Sequence, residues 1–269
     1  MSIIKHDFER MNITKIKKAK NEKKLTMITA YDALFAKLFE KEADMILVGD
    51  SLNMSFAGEN DTLSATLDQM IYHTKAVCKG TPSAFVILDM PFGTYINNDQ
   101  ALENAVKVYR ECNANAIKIE GGEDRADIIA HLTSNSIAVM GHIGLMPQYV
   151  RSEGGYKVRG KSEEDTLALI ADAIAVEKAG AFAIVVEGVK SEAAKRITQA
   201  VNIPIIGIGA GNVTDGQVIV WSDMLGFFED FKPKFVRHYL DGAALVKDAV
   251  NNYRADVQNQ EFPSKEEEY

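Results

Sequence analysis

The sequence predicts an α/β protein built as a single (β/α)8 barrel, the TIM barrel architecture. Three observations carry this prediction: about eight short apolar runs alternate with amphipathic stretches, several runs are apolar at every position, and the chain has 269 residues. A strand that is apolar throughout suits a parallel sheet buried on both faces. Eight βα units in a chain of about 250 residues favour a closed barrel over an open doubly wound sheet.

The predicted strands are short runs of aliphatic and β-branched residues between turn signals. They lie at 25–29, 45–49, 84–88, 116–119, 138–141, 183–186, 205–208 and 218–221. Between them, apolar residues recur at three- and four-residue spacing, which predicts helices at 32–42, 66–79, 99–112, 125–133, 162–179 and 191–201. Two of these helices begin with the pattern of a capping box, Thr66 with Gln69 and Ser162 with Asp165.

The two ends of the chain differ from the barrel pattern. Residues 1–24 form a leading segment, and their lysine cluster predicts the solvated face of an N-terminal helical extension. The tail at 258–269 has too little apolar content to pack, so we expect it to be disordered. We expect the whole chain, 1–269, to form one domain.

Composition excludes several classes of protein. The chain is 46% hydrophobic and 25% charged, and its net charge of -8 gives no attraction to nucleic acid or to anionic membranes. Its first ten residues are too charged for a secretory signal, and no apolar run is long enough to span a bilayer. Cys78 and Cys112 form no CxxC pair and are typical of reduced thiols in a cytoplasmic protein.

Acidic residues follow or end four of the predicted strands. The carboxyl ends of the strands in a parallel barrel meet on one face, so we expect these side chains to be neighbours there. A cluster of carboxylates without matching His or Cys residues favours Mg2+ over zinc or copper. We predict Asp50 and Asp89 as metal ligands, with Glu120 as a longer ligand or a holder of metal-bound water. The fourth acid is Glu187.

Other polar residues on this face have several interpretations. Lys118 lies two residues before Glu120 on one strand; it could neutralise a substrate carboxylate or pair with that acid. Glu187 could stand away from the metal as a general base. His142 could orient substrate or hydrogen-bond in the core, and Ser51 could donate to a ligand or cap a helix. We predict that the residues in contact with the substrate are Asp50, Ser51, Asp89, Lys118 and His142.

Two long connections and a glycine-rich turn lie on the same face. The connections at 51–65 and 143–161 are unusually long, as lids and binding loops often are. The glycine cluster at 207–211 lacks the spacing of a dinucleotide fingerprint, and we interpret it as a tight turn that lets a ligand approach the backbone.

Several strings resemble one known family in order along about residues 13–255. They are TAYD (29–32), GDSLNM (49–54), YHT (72–74), DMPFG (89–93), KIEGG (118–122), GHIGLMPQ (141–148), GGYKVRG (154–160) and GIGAGNVTDGQ (207–217). The chain resembles the ketopantoate hydroxymethyltransferase family.

The resemblance implies a Mg2+-dependent barrel enzyme. Its reaction moves a one-carbon unit from 5,10-methylenetetrahydrofolate to 3-methyl-2-oxobutanoate and yields 2-dehydropantoate, the first committed step of pantothenate and coenzyme A biosynthesis. By position, Asp50 and Asp89 match the metal-binding aspartates, and Glu120 matches the acid beside the metal. Glu187 matches the base that forms a Mg2+-stabilised enolate. Ser51 and Lys118 match the oxoacid-binding residues. Family members are cytoplasmic homo-oligomers, often decamers.

Three positions depart from the family pattern: the chain has Asn53 where the family has glycine, Met146 where it has threonine, and Gly188-Val189 where Cys-Pro is common. None of them removes a chemical group assigned above.

Two alternative functions remain open. One is a Mg2+-dependent 2-oxoacid lyase or mutase of the phosphoenolpyruvate mutase and isocitrate lyase type, although we do not find the reactive-cysteine loop of those enzymes. The other is a binding barrel that has lost its chemistry.

Overall fold

The computed structural model describes residues 10–229 and 232–269, and it confirms the predicted (β/α)8 barrel. Eight parallel strands form one closed sheet in chain order, and β8 pairs with β1 so that Gly216 lies opposite Leu25. The strands are β1 (Leu25–Thr29), β2 (Met45–Val48), β3 (Phe85–Asp89), β4 (Ala116–Glu120), β5 (Val139–Gly144), β6 (Ala183–Glu187), β7 (Ile205–Ile208) and β8 (Gly216–Ile219).

Helices surround this sheet. They are α1 (Ile13–Lys18), α2 (Ala33–Phe39), α3 (Leu52–Ser55), α4 (Leu67–Gly80), α5 (Asn98–Cys112), α6 (Ala126–Ser134), α7 (Glu163–Lys178) and α8 (Ser191–Ala200). The six helices predicted from periodicity are confirmed to within a few residues at their ends. No helix separates β7 from β8, because residues 209–215 connect the two strands without regular secondary structure.

The two predicted capping boxes have different outcomes. At α4 both halves form: the Thr66 hydroxyl accepts from the backbone of Gln69, whose side chain accepts from the Thr66 backbone. At α7 the Ser162 hydroxyl accepts from the Asp165 backbone, but the Asp165 carboxylate accepts from Arg159 instead. The other oxygen of that carboxylate accepts from the backbone N of Gly160, so both oxygens are bound outside the box and the second box is half formed.

The described part of the N-terminal extension is helical and packs against the barrel. Ile16 and Ala19 belong to the same buried cluster as Leu25 and other residues inside the sheet. The lysine cluster is not all solvated, because Lys20 is nearly buried and its Nζ lies 2.7 Å from Asp215 Oδ2. Helix α1 thus adds apolar contacts to the core, while residues 1–9 lie outside the described part.

By its internal contacts the chain divides into two compact units, one ending at Val220 and one starting at Trp221. The second unit contains α9 (Trp221–Met224) and α10 (Gly242–Gln258), and its last residues are exposed without helix or strand. The single domain predicted for 1–269 and the disorder predicted for 258–269 stay predictions. None of the described helices is both long and apolar enough to cross a membrane.

Candidate active site

The carboxyl ends of four strands bring the predicted acids to one end of the barrel. Asp89, Glu120 and Glu187 are the last residues of β3, β4 and β6, and Asp50 follows β2 by two positions. Asp50, Asp89 and Glu120 are at most 4% exposed, whereas the Glu187 side chain is 22% exposed. Buried acids at close quarters are costly unless a cation compensates them.

Asp50 and Asp89 are direct neighbours. The backbone N of Asp50 donates to Asp89 Oδ2 across 3.3 Å. Burial, followed by repulsion from Asp89 and Glu120, raises the pKa of Asp50 well above its ordinary value. Burial also raises the pKa of Asp89, although attraction to Lys118 opposes this shift. Both carboxylates therefore hold their charge at a free-energy cost, which an additional cation would reduce.

Lys118 supplies positive charge within this cluster. Its Nζ lies 2.8 Å from Asp89 Oδ1, and the residue is 3% exposed. Burial alone lowers the pKa of Lys118, but attraction to Asp89, Glu120 and Asp50 reverses the shift and raises the pKa overall. The ammonium is thus charged, and it faces three buried carboxylates.

His142 on β5 lies between two acids. Its Nδ1 is 3.5 Å from Glu120 Oε1, and its Nε2 is 3.3 Å from Glu187 Oε2. Burial and Lys118 lower the pKa of His142, but the neighbouring carboxylates of Glu120 and Glu187 raise it to about 9 overall. A charged ring conflicts with the contact of 3.1 Å between Nδ1 and Lys118 Nζ, because an ammonium has no acceptor. We therefore assign the neutral ring with its proton on Nε2, the nitrogen that lies 3.3 Å from Glu187 Oε2.

Ser51 is held by a buried tyrosine rather than used as a cap. Its Oγ lies 2.8 Å from the hydroxyl of Tyr31, which is fully buried at the end of β1. Ser51 precedes α3, but its side chain makes no capping hydrogen bond there. Asp32, which also follows β1, does act as a cap: it accepts from the backbone N of Leu34 and of Phe35 in α2. Of these two polar residues after strands, only Ser51 is available to the site.

Two residues that the sequence analysis did not assign complete the acid cluster. Gln148 lies in a short 3-10 turn after β5, and its Nε2 donates to Asp50 Oδ2 across 2.9 Å. Its backbone N donates to Glu120 Oε2 across 3.0 Å. The hydroxyl of Tyr95 donates to Gln148 Oε1 across 2.5 Å. The only sequence signals for them were the strings DMPFG and GHIGLMPQ, in or beside which they lie.

The donor set fits Mg2+. Within the described residues no three Asp, Glu, His or Cys side chains form a ready-made metal cluster. Mg2+ is usually held by one or two carboxylates, with water and substrate oxygens filling its octahedral shell. Asp50 and Asp89 provide such a pair, and Glu120 Oε1 is buried without a hydrogen-bond donor among the described residues. An all-oxygen, acid-rich cluster of this kind suits a hard divalent cation.

The two long loops are tied to each other beside the acids. Arg151 Nη2 lies 3.0 Å from Asp61 Oδ2, and the Tyr156 hydroxyl is 4.0 Å from Met54 Sδ. Asn53, which departs from the family pattern, donates to the backbone O of Asp61 across 2.8 Å. It lies in the short helix α3 and needs no left-handed backbone. These contacts define one conformation of the loops, and their role as lids stays a prediction.

Two glycines of the cluster at 207–211, which begins inside β7, are in close contact with neighbouring residues. Gly211 has φ +80°, and a Cβ there would lie 2.4 Å from Ser191 Oγ at the start of α8. A Cβ on Gly207 would lie 2.8 Å from Thr214 Oγ1. Close approach of neighbouring protein atoms thus explains these two glycines, and the approach of a ligand to the backbone of this turn stays a prediction.

The chain is similar in sequence to one family of known enzymes. The family model of ketopantoate hydroxymethyltransferase matches residues 10–265. The chain belongs to the ketopantoate hydroxymethyltransferase family. The 3-methyl-2-oxobutanoate hydroxymethyltransferase of Aliarcobacter butzleri is 81% identical over 100% of both chains. Its counterpart in a Nitratiruptor species is 63% identical over 97% of this chain and 99% of the relative. The ketopantoate hydroxymethyltransferase resemblance is confirmed, and the protein is an enzyme.

Solved structures related to the ketopantoate hydroxymethyltransferase chain share its fold. A phosphonopyruvate hydrolase, crystallised with oxalate and Mg++, has a TM-score of 0.61 and 14% identity, covering 95% of this chain and 92% of its own. A 2,3-dimethylmalate lyase of the PEP mutase/isocitrate lyase superfamily has a TM-score of 0.57 and 16% identity, covering 93% and 87%. At these identities the similarity establishes the barrel fold alone.

Proposed function

We propose that the enzyme transfers a one-carbon unit from 5,10-methylenetetrahydrofolate to 3-methyl-2-oxobutanoate and forms 2-dehydropantoate. The observation that carries this proposal is the cluster of three buried carboxylates around Lys118, with the more exposed Glu187 beside it. Relatives of up to 81% identity bear the name of this activity. We further propose that the enzyme is cytoplasmic and acts as a homo-oligomer, with a decamer implied by the resemblance.

In this proposal Asp50 and Asp89 hold Mg2+, and Glu120 is the longer acid beside them. When bound, Mg2+ supplies a Lewis acid that polarises the 2-oxo group of the substrate. The raised pKa values of the two aspartates support this assignment, because a cation would favour the charged forms that burial disfavours.

Glu187 is the proposed general base. Its side chain is 22% exposed, whereas Asp50, Asp89 and Glu120 are buried, so it is the most accessible of the four acids. His142 Nε2 lies 3.3 Å from Glu187 Oε2, and in our proposal this contact orients that carboxylate. In our proposal Glu187 accepts the proton from C3 of the oxoacid, and C3 then bonds to the methylene carbon of the folate. The two C–N bonds of that carbon break, water supplies the hydroxyl oxygen of the product, and tetrahydrofolate leaves with the C3 proton and one proton of the water on its two nitrogens.

Ser51 and Lys118 are the proposed oxoacid-binding residues. Lys118 carries the positive charge that a substrate carboxylate requires, and its ion pair with Asp89 fixes the position of its Nζ. Tyr31 holds the Ser51 hydroxyl in place. His142 completes the group that contacts or orients the substrate. These roles agree with the positions matched in the family strings.

Product formation tests the proposed function. The protein is incubated with 13C-labelled 3-methyl-2-oxobutanoate, 5,10-methylenetetrahydrofolate and Mg2+, and the products are followed by NMR. We expect 2-dehydropantoate, and we expect none after the divalent cations are removed with EDTA. Product formation that persists in EDTA contradicts the role of the metal. No product from these substrates, together with cleavage of a C-C or C-P bond in a panel of 2-oxo acids, favours the lyase or mutase alternative.

A further inference from the structure

Gln148 has a buried side-chain amide that is hydrogen-bonded to three protein groups. It is 4% exposed, and its Nε2 donates both to Asp50 Oδ2 across 2.9 Å and to the backbone O of Met90 across 3.0 Å. Its Oε1 accepts from the hydroxyl of Tyr95, which is 5% exposed. The amide therefore connects a buried acid of the candidate metal site to a buried tyrosine.

The chemistry of these partners allows one orientation of the amide. An ionised carboxylate and a backbone carbonyl only accept hydrogen bonds, so the NH2 group must face Asp50 and Met90. The carbonyl group of Gln148 must then face Tyr95, whose hydroxyl becomes its donor. A flipped amide would place oxygen against oxygen at both Asp50 and Met90. Removing the Tyr95 hydroxyl takes away the donor that favours the observed orientation.

The same residue also holds a second acid. The backbone N of Gln148 donates to Glu120 Oε2 across 3.0 Å. Pro147, which precedes Gln148, fixes the first φ angle of the 3-10 turn. Gln148 thus fixes one oxygen of Asp50 through its side chain and one oxygen of Glu120 through its backbone.

We propose that Gln148 is a positioning residue for the divalent-cation site, and that Tyr95 acts on this site through Gln148. The inference rests on the proposed function in one respect, that Asp50 binds the cation. By holding Asp50 Oδ2, Gln148 orients the carboxylate before the metal arrives. Residues that orient metal ligands in this way contribute about 10- to 100-fold to metal affinity.

Titration of the metal-free wild-type protein and its variants with Mn2+ tests the inference, with free Mn2+ measured by EPR. Gln148→Met removes the side-chain donors but keeps the backbone N–H, and we expect it to weaken Mn2+ binding about 10- to 100-fold. Tyr95→Phe removes a single neutral hydrogen bond, and we expect a loss of about fivefold. In the Gln148→Met background, Tyr95→Phe should have no further effect on affinity.

Tyr109→Phe is the matched control. The Tyr109 hydroxyl also hydrogen-bonds to the chain: it donates to the backbone O of Asn115 and accepts from Ala138 N at the amino ends of β4 and β5. This substitution removes two hydroxyl hydrogen bonds at the opposite end of the barrel, one more than Tyr95→Phe removes. We expect Tyr109→Phe to lower thermal stability and to leave Mn2+ affinity unchanged.

The outcomes separate this inference from the proposed function. If the wild-type protein binds Mn2+ and Gln148→Met changes this affinity by less than about twofold, the inference is wrong while the proposed function stands. Equal losses from Tyr95→Phe in the wild-type and Gln148→Met backgrounds overturn the claim that Tyr95 acts through Gln148. A wild-type protein that binds no Mn2+ overturns the metal part of the proposed function, and the inference with it.

Discussion

Replacing Asp50 with asparagine should stabilise the metal-free protein while removing its cation site. Asp50 is a buried acid whose neighbours Asp89 and Glu120 repel its charge. Asparagine has nearly the same shape and keeps an oxygen that can accept from Gln148 Nε2. The substitution therefore removes the charge and leaves that hydrogen bond, so that its effect reports the repulsion within the cluster.

The size of the effect follows from the proximity of the acids. The Asp50 backbone N lies 3.3 Å from Asp89 Oδ2, which places the two carboxylates close together. Two charges about 6 Å apart repel by about 3 kcal/mol at an effective dielectric constant of about 20. Glu120 adds repulsion, Lys118 subtracts a similar amount, and partial protonation relieves some of the total. We expect Asp50→Asn to stabilise the apo-protein by about 2 kcal/mol, which raises its melting temperature by about 6 °C.

Asp215→Asn provides a matched control with the opposite sign. Asp215 is also 4% exposed, but its carboxylate accepts from Lys20 Nζ across 2.7 Å and from Ile205 N across 2.9 Å. Here the substitution leaves a nearly buried ammonium without its counter-charge. Breaking a buried pair in this way costs about 3 kcal/mol or more, so we expect Asp215→Asn to lower the melting temperature.

Thermal unfolding in EDTA and in Mg2+ provides the assay. Because the pKa of Asp50 is raised in the folded state, its charge destabilises the fold above the pKa of the unfolded chain, and this cost disappears as the pH falls. The gap between Asp50→Asn and wild type should therefore be largest near pH 8 and shrink toward pH 5. Mg2+ should stabilise the wild type only. A destabilised Asp50→Asn apo-protein at pH 8 refutes this reasoning.

Two further predictions concern the backbone and the thiols. Gly144 has φ +100°, and a Cβ there would lie 2.4 Å from the backbone O of Glu187, so Gly144→Ala should displace the proposed base and lower kcat/KM about 100-fold in a folded protein. Wild-type kcat/KM in that variant contradicts this reading. Burial raises the pKa of Cys78 to about 12 and that of Cys112 to about 11. At pH 8 we therefore expect iodoacetamide to label both free thiols slowly in the native protein and rapidly after denaturation. The native labelling rate should rise about tenfold for each unit of pH, because the thiolate fraction does so. Rapid labelling of the native protein at pH 8 contradicts this prediction.

Strand positions were predictable because a parallel barrel imposes a repeated apolar pattern. The predicted and observed bounds of β1 and β7 are identical. The prediction for β8 ran too far, to Trp221, which instead begins α9. The strand begins earlier, at Gly216, where a Cβ would lie 2.5 Å from the backbone O of Leu25. That constraint comes from a strand far away in the sequence, so local pattern could not reveal it.

The acids could be predicted as neighbours because strand ends determine their location. Gln148 and Tyr95 could not, because they lie on loops, and the path of a loop depends on tertiary contacts that have no sequence period. A position after a strand does not by itself place a side chain in the site: Asp32 follows β1, yet its carboxylate caps α2. Position after a strand thus predicts proximity to the site, but the role of a polar side chain depends on its hydrogen-bond partners.

Proton exchange at C3 of 3-methyl-2-oxobutanoate in deuterium oxide tests the central claim most directly. The claim is that the buried acids hold a divalent cation and that Glu187 removes the C3 proton. We predict that wild-type protein with Mg2+ exchanges this hydrogen without folate, that EDTA abolishes the exchange, and that Glu187→Gln abolishes it while Mn2+ still binds. Exchange at the wild-type rate in Glu187→Gln, or in EDTA, would contradict the account.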